Sequence, residues 1–524
     1  MKTSALFVLL CLAAQHAVGQ DPRLDILIRG GQVIDGTGSD ARGADVGIAG
    51  DRIVFVGDAA KRALSAPRVI DATGLTVAPG FIDPHTHSDR ELANPKLSHN
   101  QPYLYQGITT VFTGNDGAGP WPIAKAIEDW QRQGVGTNVA LFVGHGTVRG
   151  AVMGLADAEP GAEQLERMRA MVKQGMQDGA FGMSTGLFYA PGIFSKTDEI
   201  IELARVVAAH GGVYDTHMRS ESSAGIGLLA SIDETIRIGR EAKLPVHISH
   251  IKALGADVWG QSGQAIERIR RARSEGVAVT ANQYPYTASS TSLHAAIVPP
   301  WAQAGGHKEL LRRMDDPQER SKLVADMERL LKVRGGPEAI LFSKTGTVPA
   351  ELAGRTLAAV AKDAGKPAIE AALDAIRRVA VLPIISFNMN EQDIEAYMRQ
   401  DWVVTGSDGV FGHPRTFGTF PRKIREYVLK RNVLTLPAAI RASTSLTAEI
   451  FGVAERGTIR EGFFADLVVF DAAAIADRAT YLDPSVLSTG IRYVLVNGKI
   501  AIDGGEYNGA LTGRMLRKAS GTSR

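Results

Sequence analysis

Two histidines separated by one residue, His85 and His87, closely follow the apolar stretch 75–82. In an extended strand, side chains two residues apart point the same way, so both imidazoles can leave one strand end together and bind one metal ion. The pair alone is a weak signal, because neighbouring histidines on a loop are more often solvated. Three further apolar runs, however, end in residues of metal-binding type, which are His217, His250 and Asp408. Together these four endings predict a metal site with nitrogen and oxygen ligands.

The segments that must position these residues alternate short apolar runs with amphipathic helices, which is the pattern of a parallel α/β fold. We expect strands near 75–83, 107–114, 138–144, 180–185, 212–217, 245–249, 277–284 and 402–407. Eight strands with intervening helices predict a (β/α)8 TIM barrel over residues 79–445, with its active site at the carboxyl ends of the strands. The candidate metal ligands fall at those ends.

The two segments that flank the barrel, 21–78 and 446–510, alternate apolar runs with glycine turns. Neither has enough strands for a stable sheet, so we expect both chain ends to build one small β-sandwich domain. The interval 288–400 is longer than a βα unit requires and predicts an insertion before the eighth strand that can cover the site as a lid. Residues 511–524 are left as a tail.

Residues 1–20 have the pattern of a cleavable signal peptide, with Lys2, an apolar run at 5–14 and small residues before Gln20. We therefore expect a periplasmic or secreted protein. The only cysteine, Cys11, lies in this segment, so the mature chain would have no disulfide. No later stretch reaches the ~18 apolar residues of a membrane span. Lys plus Arg number 58 and Asp plus Glu 56, a balance that argues against a nucleic-acid partner. Whether copies of the chain form an oligomer is left open.

Four motifs together resemble those of the amidohydrolase superfamily. They are Gly-Phe-Ile-Asp-Pro-His-Thr-His at 80–87, Thr-His-Met-Arg at 216–219, Ile-Ser-His-Ile-Lys at 248–252 and Thr-Gly-Ser-Asp-Gly at 405–409. Within the superfamily, three further stretches resemble the D-aminoacylase, or N-acyl-D-amino-acid deacylase, family. They are Gly-Met-Ser-Thr-Gly-Leu at 182–187, Tyr-Pro-Tyr-Thr-Ala-Ser-Ser at 284–290 and His-Pro-Arg-Thr-Phe-Gly-Thr-Phe at 413–420. The similarity runs from about residue 24 to about 505.

This resemblance implies one or two Zn²⁺ ions, held by His85, His87, His217 and His250, and makes Asp408 the general acid/base. The chain departs from the family in the turn after the second strand. D-aminoacylases have a cysteine ligand there, whereas this turn reads Gly-Asn-Asp-Gly at 114–117. Asp116 can bind zinc through oxygen, but it can also serve only as a turn residue. The bridging carboxylated lysine of cyclic-amide hydrolases has no counterpart at the fourth strand end, Ser184-Thr185-Gly186.

The same resemblance implies a set of residues that bind the substrate. Arg415 matches the family position that pairs with the substrate carboxylate, a role that suits the planar fork of a guanidinium. The other matching positions are Lys252, Tyr189, Tyr284 or Tyr286, and Ser289 or Ser290. His247 has the opposite strand parity to His250, so we expect it to point away from the barrel interior.

The expected function is therefore zinc-dependent hydrolysis of the amide bond of N-acyl-D-amino acids, or of short peptides that end in a D-residue. The alternative is another amide or cyclic-imide hydrolase, or a dipeptidase, on the same scaffold, because a fold does not determine a substrate. A non-catalytic relative with only a binding role would be expected to have lost one of the five key residues, and His85, His87, His217, His250 and Asp408 are all present. The preference for the D-enantiomer rests on the resemblance alone.

Overall fold

In the computed structural model, which describes residues 23–518, eight parallel strands form a barrel. The strands are Phe81–Asp83, Ile108–Thr113, Asn138–Leu141 continued by Val143–Gly144, Gly182–Gly186, Val213–His217, Val246–Ile248, Val279–Gln283 and Val403–Thr405. A parallel bridge between Thr86 and Gly409 joins the first strand to the last and closes the barrel. The predicted signal peptide and Cys11 lie outside the described residues.

Helices on the outside of the barrel cover the apolar outer faces of these strands. They are Ile123–Gln133, His145–Met153, Ala162–Gln177, Thr197–Ala209, Leu228–Ala242, Ser262–Ser274, Glu391–Met398, Leu436–Ala442 and Ser445–Phe451. Short helices Asp89–Leu92 and Gln101–Leu104 follow the first strand, and Arg415–Arg422 with Lys423–Lys430 follow the eighth. Phe451 fills the barrel interior against Phe112 and Phe142, with ring centroids 4.8 and 5.7 Å away.

Strands from both ends of the chain form one connected sheet of nine strands beside the barrel. Its strands are Ile26–Val33, Arg42–Ala49, Arg52–Gly57, Arg68–Asp71, Thr76–Pro79, Leu467–Phe470, Ile491–Val496, Lys499–Asp503 and Glu506–Tyr507. The two chain ends meet where Thr76–Pro79 pairs antiparallel with Leu467–Phe470. The stretch expected as one strand, 75–83, is therefore divided at Gly80. A side chain at Gly80 would lie 2.2 Å from Thr109 Oγ1, so the chain passes between the two sheets through a glycine.

Between the seventh and eighth strands the chain builds a separate body with its own apolar core. A three-stranded sheet of Ala288–Ser292, Ile340–Phe342 and Pro383–Phe387 is covered by helices Leu293–Ile297, Pro300–Gln303, Gly306–Asp315, Pro317–Val333, Leu357–Ala364 and Ala368–Arg378. The fold class expected from the sequence is confirmed. The helix Glu391–Met398, although inside the predicted insertion, packs on the barrel. No helix within residues 23–518 is both long and apolar enough to span a membrane.

Candidate metal centre and active site

Six side chains converge at the carboxyl ends of the barrel strands. His85 and His87 follow the first strand, Asp116 the second, His250 the sixth and Asp408 the eighth, and His217 is the last residue of the fifth. All are almost fully buried except His87, whose side chain is 26% exposed. The structure therefore brings together every residue that the sequence analysis assigned to metal binding and proton transfer.

The carboxylate of Asp116 lies at the centre of this cluster. Its Oδ1 is 3.4 Å from His85 Nε2 and 3.5 Å from His250 Nε2. Its Oδ2 is 3.5 Å from both His87 Nε2 and His217 Nδ1. Burial alone would raise the pKa of Asp116, but the surrounding histidines outweigh burial and hold this pKa well below its usual range. An ionised carboxylate that faces four imidazoles has the placement of a shared metal ligand.

The chemistry of these donors fits zinc. His85 Nε2, Asp116 Oδ1 and His217 Nδ1 are buried, and none has a hydrogen-bond partner in the described part of the chain. Buried polar atoms are normally satisfied, so atoms that converge without a partner indicate a cation between them. Burial lowers the pKa of His85 to about 4, which keeps the ring in its neutral, metal-binding form. Nitrogen and carboxylate oxygen are both common zinc ligands.

The backbone at three of these residues occupies the left-handed region. The φ angles are 54° at Asp116, 34° at His250 and 48° at Asp408. Such conformations are uncommon outside glycine and cluster at functional sites, where the surrounding structure holds them. At Asp116 the turn is anchored from the fourth strand, because Ser184 Oγ accepts from Gly117 N at 3.1 Å and donates to Gly114 O. The fourth strand end thus supports the Asp116 turn.

Asp408 links the histidine cluster to Arg415. Its Oδ1 is 3.2 Å from His87 Nε2, and its Oδ2 is 2.9 Å from Arg415 Nη1. Burial would raise the pKa of Asp408, but Arg415, followed by His250 and His87, lowers it below the usual range. Asp408 is therefore a carboxylate at neutral pH and lines the substrate pocket.

Glu221 is a functional residue that the sequence analysis missed. Its Oε1 is 3.0 Å from His250 Nδ1, and its Oε2 is 3.7 Å from His217 Nε2. Both histidines therefore have one nitrogen toward Asp116 and the other toward Glu221, the arrangement in which an outer carboxylate orients metal-binding imidazoles. Lys252 Nζ donates to Glu221 Oε1 at 2.5 Å. The spacing of Glu221, four residues after His217, is the sequence signal that could have identified it as a partner of that histidine.

Buried polar residues beneath the cluster connect the loops that carry the ligands. Asn115 Nδ2 donates to Pro84 O at 3.1 Å and to Asp215 Oδ2 at 3.0 Å, and Ser249 Oγ donates to Asp215 Oδ1 at 3.0 Å. Asp83 Oδ1 accepts from Ser407 N at 3.0 Å. Burial raises the pKa of both Asp83 and Asp215 to about 7. Four ligand-bearing loops are thereby held in one relative position.

The expected orientation of His247 was wrong. Its ring contacts Phe451 inside the barrel, with centroids 4.8 Å apart, and its Nε2 is 3.0 Å from Asn282 Nδ2. The strand ends at Ile248, so the turn that contains His250 breaks the alternation of side chains on which the parity argument relied. Asn282 Oδ1 in turn accepts from His250 N at 2.8 Å, so His247 supports the ligand loop from below.

A pocket opens beside the cluster. Eight of the predicted residues line it, and they are Tyr189, His217, His250, Lys252, Tyr284, Ser289, Ser290 and Asp408. Tyr286 does not, because its hydroxyl donates to Pro414 O at 3.4 Å and its ring faces Arg422. Arg415 lies behind Asp408, is 1% exposed, and places its guanidinium 4.7 Å from the Tyr284 ring centroid. Phe188, Glu221 and Arg334 also line the pocket, although none was predicted.

Comparisons with known proteins identify the family of the chain. The profile of the amidohydrolase family matches residues 68–502. The chain is 35% identical to D-aminoacylase of Alcaligenes xylosoxydans xylosoxydans over 95% of this chain and 98% of that protein. It is 36% identical to N-acyl-D-glutamate deacylase of the same organism over 91% and 93% of the two chains.

A crystal structure of N-acyl-D-glutamate deacylase from Bordetella bronchiseptica, complexed with zinc and a phosphonate inhibitor, superimposes with a TM-score of 0.81 at 32% identity. The superposition covers 95% of this chain and 100% of that one. The chain belongs to the amidohydrolase family, within its group of D-aminoacylases and N-acyl-D-amino-acid deacylases. It is accordingly a hydrolase of carbon–nitrogen bonds.

The position of Asp116 leads to a test of its role. Asp116→Ala should weaken binding of at least one zinc ion by ~100-fold or more, because loss of even an outer partner typically costs 10–100-fold. Zinc stoichiometry and affinity are measured on the purified variant. Asp129→Ala, which removes an exposed carboxylate paired with Lys125, is the matched control. Unchanged zinc binding in Asp116→Ala would leave Asp116 as a turn residue only.

Proposed function

We propose that this protein hydrolyses the amide bond of N-acyl-D-amino acids with the help of zinc, releasing a carboxylic acid and a free amino acid. The observation that carries this proposal is the convergence of four histidines on Asp116, beside a pocket that Asp408 lines. The named relatives are D-aminoacylase and N-acyl-D-glutamate deacylase, which supports the D-amino-acid class of substrate.

His85, His87, His217, His250 and Asp116 would hold one or two zinc ions, and Asp408 would handle the proton. When bound, zinc acts as a Lewis acid toward the amide carbonyl and the attacking water. Asp408, ionised and facing the pocket, accepts the proton of the water and later returns it to the departing amine. Glu221 keeps the rings of His217 and His250 in the orientation that metal binding requires.

Arg415 would bind the α-carboxylate of the substrate. Its Nε has no hydrogen-bond partner among the described residues, and its guanidinium lies 4.7 Å from the ring of Tyr284, a residue of the pocket lining whose hydroxyl is also unpaired there. A guanidinium can bind two carboxylates through different nitrogens, so Arg415 can hold Asp408 and the substrate together. This contact would place the scissile bond next to the proton-transferring carboxylate.

The site is further proposed to operate outside the cytoplasm. The signal-like segment 1–20 and the absence of cysteine after residue 11 support a periplasmic or secreted location. Replacing a cysteine ligand by Asp116 suits an oxidising compartment, because a carboxylate does not oxidise where a thiol does.

Removal of the metal, and a comparison of the rates for D- and L-substrates, test the function directly. After exhaustive chelation the protein should lose hydrolysis of N-acetyl-D-amino acids, and Zn²⁺ should restore it. The zinc-loaded protein should hydrolyse N-acetyl-D-amino acids faster than their L-enantiomers, as measured by release of free amine. Full activity in metal-free protein, or a preference for the L-series, would overturn the proposal.

Asp408→Asn isolates the proton-transfer step. The amide keeps the shape of the side chain but cannot accept a proton from water, so kcat should fall by ~10² or more, the usual contribution of general acid–base catalysis. Zinc content, measured in parallel, should remain at the wild-type level. A variant that turns over at the wild-type rate would place the acid/base elsewhere.

Arg415→Lys tests recognition of the α-carboxylate. The ammonium keeps the charge but cannot reproduce the bidentate fork, so kcat/KM for N-acyl amino acids should fall by ~10², or about 3 kcal/mol. The matching α-carboxamide, which lacks the charge, should be a poor substrate of the wild type and should lose little more in the variant. Equal proportional losses for acid and amide would mean that Arg415 acts only by holding Asp408.

A further inference from the structure

Arg334 is a buried cation in the substrate pocket that the catalytic scheme does not use. It is 6% exposed and lines the same pocket as His217, His250 and Asp408. Within residues 23–518, its guanidinium forms no hydrogen bond and no ion pair. It lies 5.4 Å from the centroid of the Phe188 ring, and Glu221 acts on its charge only from beyond ion-pair distance. A charge that is buried without a counter-ion is costly, so an anion is expected to complete this site.

The other charges of the pocket are already paired. Lys252 lies 2.5 Å from Glu221, and Asp408 lies 2.9 Å from Arg415. Arg334 is then the cation of the pocket lining for which the described chain offers no carboxylate within ion-pair distance. A carboxylate that pairs with Arg334 directly would therefore come from a molecule that enters the pocket.

The insertion holds Arg334 in this position. Arg334 follows the last residue of the helix Pro317–Val333, and two glycines with left-handed backbone, Gly335 at 95° and Gly336 at 87°, end that helix. Gly336 N donates to Leu331 O at 3.0 Å and closes the turn. A Cβ on Gly255, in the loop that follows Lys252, would meet Val333 O at 2.6 Å, so the helix end packs closely on the barrel.

Arg334 and Arg415 contact different residues around the site. Arg415 contacts Asp408 and Tyr284. Arg334 lies over Phe188, whose ring stacks on His217 with centroids 5.5 Å apart. The single α-carboxylate of an N-acyl amino acid can pair with one of these groups, and Arg415 takes it in the proposed function. Arg334 then faces a different part of the substrate.

We propose that Arg334 binds a second carboxylate of the substrate, and that this protein selects N-acyl-D-amino acids that carry a negative charge beyond the α-carboxylate. The inference rests on the proposed deacylase function and specifies its substrate class. The second carboxylate can belong to the amino-acid side chain or to the acyl group, which share the same chemistry.

The test compares acids with neutral amides of the same shape. In the first pair, N-acetyl-D-glutamate carries the second carboxylate on its side chain and N-acetyl-D-glutamine is the neutral analogue. In the second pair, N-succinyl-D-leucine carries it on the acyl group, and the neutral analogue has the free succinyl carboxylate replaced by a carboxamide. The zinc-loaded wild type should prefer the acid in at least one pair, and that pair identifies the source. Arg334→Met, which keeps the length of the side chain, should lower kcat/KM for the preferred acid by about 10- to 100-fold and leave its amide within about twofold.

Two further variants separate charge from packing. Arg334→Lys should retain part of the preference for the acid, because the charge remains and the fork is lost. Arg329→Met, on the exposed side of the same helix, should behave like the wild type. The inference is overturned if the wild type has no acid preference, if Arg334→Met lowers acid and amide equally, or if Arg329→Met reproduces the effect.

Binding measurements distinguish this inference from the deacylase function itself. If the zinc-loaded wild type hydrolyses none of the four compounds, the proposed deacylase function fails. Calorimetric binding of the same compounds to the wild type and to Arg334→Met then tests separately whether Arg334 binds a carboxylate. Tighter binding of an acid than of its amide, lost in Arg334→Met, supports the site. Equal binding of acid and amide excludes it.

Discussion

The carboxylate of Asp116 is the interaction on which the site depends. Four imidazoles surround it at 3.4 to 3.5 Å, and the rings of His217 and His250 lie only 4.5 Å apart. A buried carboxylate is costly unless cations or hydrogen bonds compensate it, and several imidazoles at this spacing need an anion or a shared metal between them. The imidazoles therefore compensate the buried carboxylate of Asp116, and the carboxylate compensates the closely spaced imidazoles. A zinc ion between them would satisfy both the carboxylate and the imidazoles.

The rest of the barrel serves to keep this arrangement rigid. The metal ligands and Asp408 come from five different strand ends, so a shift of any one loop would separate them. Asn115, Asp215 and Ser249 tie together the loops after strands one, two, five and six, and Asp83 ties the first loop to the eighth. The insertion adds a wall to the pocket from outside the barrel, and it contributes Arg334 where the barrel itself offers no further cation.

Sequence reasoning reached the parts of the molecule that periodicity and motif spacing encode. The barrel strands, the ligands His85 and His217, and the acid/base Asp408 follow from apolar runs that end in residues of metal-binding type. Glu221 and Arg334 could not be found in this way, because their roles depend on contacts between distant segments. His247 was misplaced for a local reason: the left-handed turn at His250 interrupts strand alternation, and sequence alone does not reveal where alternation stops.

The central claim is that Asp116 is itself a zinc ligand. Zinc K-edge X-ray absorption of an Asp116→Cys variant tests it directly, because Cys11 is the only cysteine of the chain and a Cys11→Ser background leaves the introduced thiol alone. The account predicts a new zinc–sulfur distance of about 2.3 Å beside the nitrogen and oxygen shell at about 2.0 to 2.2 Å. A zinc-loaded variant with only nitrogen and oxygen neighbours would show that residue 116 lies outside the coordination sphere and would contradict the account.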